Sequence, residues 1–179
     1  MFDLYKANQK DTSRFILGKA GTNPLFVVGL NPSTANREKS DVTATKVARV
    51  AEREGYKGFV MTNLYPLRST DPHQLPARVD NRLLRINLEY IAELAKQQTA
   101  PHFWAAWGAE ITRRKYLSKA CQKLAVEVAN VGGTWWCFGP QVSGPLTRAG
   151  HPRHPSRLSY AWTLQPFDIQ IYLSQLADK

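Results

Sequence analysis

Four short, unbroken apolar runs alternate with stretches of helical periodicity, and this alternation restricts the possible folds more than any other feature of the chain. The runs are Pro24-Leu25-Phe26-Val27-Val28-Gly29-Leu30, Gly58-Phe59-Val60-Met61-Thr62-Asn63-Leu64, His102-Phe103-Trp104-Ala105-Ala106-Trp107-Gly108 and Thr134-Trp135-Trp136-Cys137-Phe138-Gly139. A run with little polar interruption suits a strand buried on both faces, as in a parallel sheet. Between the first two, Asp41 can cap a helix through Val47, Val50 and Ala51 that stops at Gly55. Asp80 can cap a longer helix striped by Leu84, Leu88, Ile91, Leu94 and Ala95, which Pro101 ends. A third helix carries Leu117, Ala120, Cys121, Leu124 and Val128 and stops at Gly132-Gly133.

Consecutive parallel strands require right-handed crossovers, and the helices then cover the sheet. The expected fold is therefore α/β: a three-layer α/β/α sandwich on a mostly parallel, about four-stranded central sheet. The 179 residues suit a single domain, 1–179. Residues 1–20 alternate weakly and predict an N-terminal edge hairpin ending near Phe15-Ile16-Leu17. A strand or short helix is expected around Ile169 to Leu176.

Composition matters here for what it excludes. With 43% hydrophobic and 21% charged residues, 11 Gly and 11 Pro, the chain is neither a disordered tail nor a fibrous rod. Its two cysteines, Cys121 and Cys137, are too few for a disulfide framework and read as buried thiols in a reducing compartment. The first residues lack a basic region followed by an apolar stretch, and no apolar run approaches the ~20 residues of a membrane span. The expectation is a cytoplasmic monomer with no membrane, metal or cofactor. Twenty-four Lys and Arg against 14 Asp and Glu give a net charge of +10. From Arg113 to Arg157, eight cations face one acid, Glu127. Such an excess favours polyanionic partners, and DNA, single- or double-stranded, is the expected one.

In open α/β sheets, ligands bind beyond the carboxyl ends of the strands. That rule selects Asn31 to Ser33, Asn63 to Arg68, Trp107-Gly108 and the loop from Gly139 to Arg157. No G-x-G-x-x-G, G-x-x-x-x-G-K-[ST] or G-x-S-x-G occurs, so dinucleotide, P-loop and α/β-hydrolase chemistry lack support. Taken singly, Gly29-Leu30-Asn31-Pro32-Ser33 suits an ordinary turn, Asn63 a satisfied strand end, and His151-Pro152-Arg153-His154-Pro155-Ser156 a stiff surface loop. Two histidines without Cys or carboxylate partners make a poor zinc site.

In order, these segments resemble the uracil-DNA glycosylase superfamily, with its G-x-[DN]-P, strand-closing Asn, W-G and H-P-S motifs. Here they correspond to Gly29-Leu30-Asn31-Pro32, Thr62-Asn63, Trp107-Gly108 and His154-Pro155-Ser156. The chain is closer still to an uncharacterised prokaryotic and phage family with G-L-N-P-S-x-A, D-x-T, N-L-[YF]-x-x-R-x-[TS]-D-P and G-x-P-x-H-P. These lie at Gly29 to Ala35, Asp41 to Thr43, Asn63 to Pro72 and Gly150 to Pro155.

The superfamily resemblance implies a glycosylase-like core over 24–160 and hydrolysis of an N-glycosidic bond in DNA, on a flipped base that is either uracil or a modified base. It implies that Asn31 positions water, that His154 stabilises charge on the departing base, and that Asn63 reads the base edge. Asp41 is the alternative activator of water, besides its role as a helix cap. Ser33, Arg68, Arg153, Ser156 and Arg157 would grip phosphates. The stacking Phe usual after the first motif is missing from Thr34-Ala35-Asn36-Arg37, which leaves Tyr65 or Trp107 to replace it. The cluster-binding cysteines of some branches are absent. Two other expectations stay open: a DNA-binding protein that has lost the chemistry, and an enzyme of free nucleotides or nucleosides.

Overall fold

A computed structural model of the protein describes residues 1–177. The four apolar runs form strands β3 (Pro24–Gly29), β4 (Gly58–Asn63), β5 (His102–Ala105) and β6 (Thr134–Gly139). Three further strands are β1 (Leu4–Ala7), β2 (Arg14–Lys19) and β7 (Thr163–Pro166), and all seven make one sheet in the order β1-β2-β4-β3-β5-β6-β7. The pairings β4–β3, β3–β5 and β5–β6 are parallel, whereas β1–β2, β2–β4 and β6–β7 are antiparallel. The sheet is thus mixed and larger than the four strands expected. The added strands enter through local hairpin-type or return connections, which need no helical crossover.

Helices α1 (Val42–Arg53), α2 (Asn81–Ala95), α3 (Lys115–Asn130) and α4 (Ile169–Ala177) cover the sheet. Asp41 Oδ1 accepts from the Ala44 amide at 2.8 Å and Asp80 Oδ1 from the Leu83 amide at 3.0 Å, so both expected caps are present. Each contributes about 1 kcal/mol by satisfying an otherwise orphaned helical N–H. Alternation along the strands divides the core in two. Leu25, Val27, Phe59, Met61, Trp104 and Ala106 pack with Ala44, Val47 and Val50 of α1. Phe26, Val28, Val60, Phe103, Ala105 and Trp107 pack with α2, α3 and α4. Helices therefore lie on both faces of the sheet.

Strand β2 is buried along nearly its whole length and separates β1 from the parallel strands. The tail around Ile169 is helical, and its Tyr172 hydroxyl accepts from Trp107 Nε1 at 3.1 Å. Cys121 and Cys137 are free and buried, and burial pushes both thiols well above their ordinary range. No helix among the described residues is long and apolar enough to cross a membrane.

Candidate functional site

The chain leaves β3 for β4 on one side and returns to β5 on the other, so the connection reverses between β3 and β5. Such a switch point opens a crevice beyond the carboxyl ends of the strands. A cleft of about 690 Å3 lies there, within the size range of small-molecule sites. Asn31, Ser33, Asp41, Asn63, Trp107, Arg153, His154, Ser156 and Arg157 all line it. These residues come from four separate segments, which the parallel strands bring to a common rim.

Asn31 follows β3 in a turn. Its Nδ2 donates to the carbonyls of Ser69 at 2.8 Å and Pro32 at 3.1 Å. Both amide protons are thereby used, and Oδ1 is left as an acceptor. Asn63 ends β4 opposite Gly29 and is only 3% exposed. A Cβ at position 29 would lie 2.8 Å from Asn63 Oδ1, which explains glycine there: the missing side chain makes room for the amide. Asn63 Nδ2 is buried with no hydrogen-bond partner among the described residues. Its backbone carbonyl, by contrast, is held by Asn87 Nδ2 at 2.8 Å. Leaving a buried donor unmade costs ~1–3 kcal/mol, an expense that a ligand in the cleft can offset.

His154 is half-buried, and its Nδ1 receives the Ser156 backbone N–H at 3.2 Å. An N–H can only donate, so Nδ1 carries a lone pair and the neutral ring carries its hydrogen on Nε2. The Ser156 hydroxyl lies 2.8 Å from the same Nδ1. Burial holds the His154 pKa below the usual histidine value; nearby Asp41 opposes that shift and Arg157 adds to it. The ring is therefore neutral at pH 7 and offers Nε2–H as a donor. Gly108 sits beside it at φ 73° and ψ −172°, a backbone region that essentially only glycine occupies, with its Cβ direction facing His154 Cβ. Asp41 Oδ2 is 3.3 Å from the Ala35 amide while Oδ1 caps α1, and the carboxylate forms no ion pair among the described residues.

The other expected site residues lie differently. Tyr65 is outside the cleft and 1% exposed; it packs on Tyr116, and its hydroxyl accepts from the Asp80 amide at 3.1 Å. Trp107 borders the cleft, but strand alternation turns its indole into the opposite core against Trp135, Phe167 and Tyr172. Neither ring is free to stack on a ligand. Arg68 is also absent from the cleft lining: it donates to the carbonyls of Ser33 at 2.7 Å and Ala35 at 2.9 Å and pairs with Asp11 at 3.1 Å. It ties the β1–β2 connection to the turn after β3. His151 is buried, with Nδ1 3.0 Å from the Tyr172 hydroxyl.

Trp162 and Arg14 stand out among the lining residues that were not anticipated. Trp162 contributes an aromatic side chain, with the Arg153 guanidinium 5.1 Å from its ring centroid. Arg14, at the start of β2, is 2% exposed yet borders the cleft. Its only sequence signal is a lone cation placed directly before Phe15-Ile16-Leu17.

Fold and site together define an α/β protein with a cleft at the switch point of its sheet. The chain belongs to the family described as Protein of unknown function (DUF1643), which matches residues 14–156. No curated protein and no solved structure matches it.

Proposed function

We propose that the cleft binds a nucleobase and that the protein hydrolyses its N-glycosidic bond in DNA, in the manner of the uracil-DNA glycosylase superfamily. The observation that carries this reading is the buried, unpartnered Asn63 Nδ2 in the same cleft as the Asn31 amide and a His154 ring held with Nε2–H. A base edge presents ring nitrogens and carbonyl oxygens, and an amide can meet such an edge with one donor and one acceptor.

In this scheme Asn63 reads the base edge. Asn31 Oδ1 accepts a hydrogen bond from water and orients it toward the sugar carbon. The water oxygen bonds to that carbon while the carbon–nitrogen bond breaks, and its electron pair leaves with the base. His154 Nε2–H donates to the negative charge developing on the base; a preorganised donor of this kind is typically worth ~2.7–4 kcal/mol. Asn31 cannot take the proton that water gives up. Asp41, a carboxylate in the same cleft without an ion-pair partner, is the acceptor for it. Arg153, Arg157, Ser33 and Ser156 border the cleft and hold strand phosphates, giving salt-sensitive binding.

The test is incubation at low salt with single- and double-stranded DNA carrying uracil, mismatched thymine or modified bases, followed by alkaline cleavage at abasic sites. The expected result is strand breaks at one class of base, lost in Asn31→Ala and His154→Ala while salt-dependent DNA binding persists. Absence of abasic sites from every substrate would overturn the reading.

A further inference from the structure

Arg14 is an almost fully buried cation with no ion-pair partner among the described residues. Its Nη1 donates to the Ala35 carbonyl at 2.7 Å, and its Nε is buried without any partner. Arg68 Nη1 donates to the same carbonyl at 2.9 Å, so two guanidinium groups converge on one oxygen. Arg68 pairs directly with Asp11, whereas Arg14 feels the Asp41 and Asp11 carboxylates only at longer range and makes no direct pair among the described residues. Burial and the Arg68 charge together lower the Arg14 pKa to about 10, so it stays charged at pH 7. Buried charges are ordinarily paired, because leaving water without a counter-ion is costly. A buried guanidinium beside a cleft, with no carboxylate in direct contact, can take its contact counter-ion from solution. Guanidinium forks match phosphate geometry, and the resulting bonds are strong.

We propose that Arg14 is a phosphate-binding residue, and that the ligand of the cleft is a nucleotide unit recognised through its phosphate as well as its base. This rests on the cleft being a nucleobase site, as proposed above. Ser33 borders the same cleft as Arg14, and its hydroxyl is a further donor. The volume of about 690 Å3 has room for more than a bare base. The phosphate can be a free monoester or a diester within a strand.

The test is calorimetric and thermal-shift titration of the full chain with inorganic phosphate, a deoxynucleoside 5′-monophosphate, the matching nucleoside and a short single-stranded oligonucleotide. The parent protein is expected to be stabilised by inorganic phosphate and to bind the monophosphate more tightly than the nucleoside. In Arg14→Met the monophosphate affinity falls about 10- to 100-fold, the size expected for a lost charge-assisted contact, and nucleoside binding is unchanged. Competition by the oligonucleotide assigns the phosphate to a strand; binding of the monophosphate without such competition assigns it to a free nucleotide. Arg14→Lys keeps the charge but not the fork, and an intermediate affinity is expected from it even if the methionine variant does not fold. Equal binding of nucleoside and monophosphate by the parent, or full monophosphate affinity in either variant, would overturn the proposal. No arm reads base release, so failure of the hydrolytic reading remains separable from failure of this one.

Discussion

Asn63→Leu separates a residue kept for ligand binding from one kept for stability. Leucine branches at the same carbon as asparagine, but its two methyl groups are bulkier than the amide, and Asn63 Oδ1 already fills the space beside Gly29. The substitution removes a buried N–H that has no partner, and the Asn87 bond is untouched because it ends on the Asn63 backbone carbonyl. Removing the unmade donor recovers ~1–3 kcal/mol, while fitting the bulkier methyl groups into a packed site costs ~1–3 kcal/mol. The two nearly cancel, with a net change within ~2 kcal/mol of zero, which for a chain of this size keeps Tm within ~8 °C of the parent. Base release in the abasic-site assay is expected to disappear, because the leucine has neither donor nor acceptor for the base edge. Thermal unfolding of parent and variant in the same phosphate-free buffer gives the comparison. A Tm lowered by more than ~8 °C would refute the view that Asn63 is a strained, ligand-directed group, on the ~2–4 °C per kcal/mol scale. Base release retained at the parental rate would equally refute its role at the base edge.

Other perturbations address neighbouring parts of the cleft. The His154 pKa is lowered in the fold, so below the unfolded value of 6.5 the unfolded chain binds more protons, and stability falls as pH drops through the folded pKa. His102 contributes in the same direction, so His154→Gln is expected to flatten only part of an acid-side slope measured by urea unfolding. Base release should decline over the same pH range, because a proton on Nδ1 would oppose the Ser156 amide that already donates to it. Gly108→Ala meets His154 Cβ at an ordinary 3.5 Å, so its cost is backbone strain of ~1–3 kcal/mol, read as a lowered Tm. Arg68→Ala loses four sets of contacts, to Ser33, Ala35, Tyr5 and Asp11, and is expected to lower stability while leaving the salt slope of DNA binding intact.

The parallel strands were legible because burial on both faces requires unbroken apolar runs, and α1 and α2 because Asp41 and Asp80 stand directly before their stripes. Strand β7 escaped notice: Thr163-Leu164-Gln165-Pro166 is short, half-exposed and ends in proline, as an edge strand tolerates. Asn31, Asn63 and His154 could be found from strand-end placement and motif order, but their hydrogen-bonding states could not. The His154 tautomer depends on an amide two residues away, and the Asn63 donor is unpaired only because of what surrounds it in space. The aromatic assignments were harder for a different reason. Trp107 is one residue out of phase with Ala106, and period-two alternation sends its ring to the far side of the sheet. Tyr65 and Trp107 both lie two residues past their strands, but only Trp107 keeps its strand's parity: the neighbours Leu64 and Tyr65 enter the same core.

Strand β2 covers the flank of β4 through pairs such as Leu17 with Met61, and the same strand carries Arg14 to the cleft. A shortened chain beginning after residue 20 would keep every recognisable motif yet strip β4 of its neighbour. Its newly bare backbone N–H and C=O groups would invite pairing with a second molecule. Self-association of such a fragment would then reflect a missing cover, and its loss of function would say nothing about the motifs it retains.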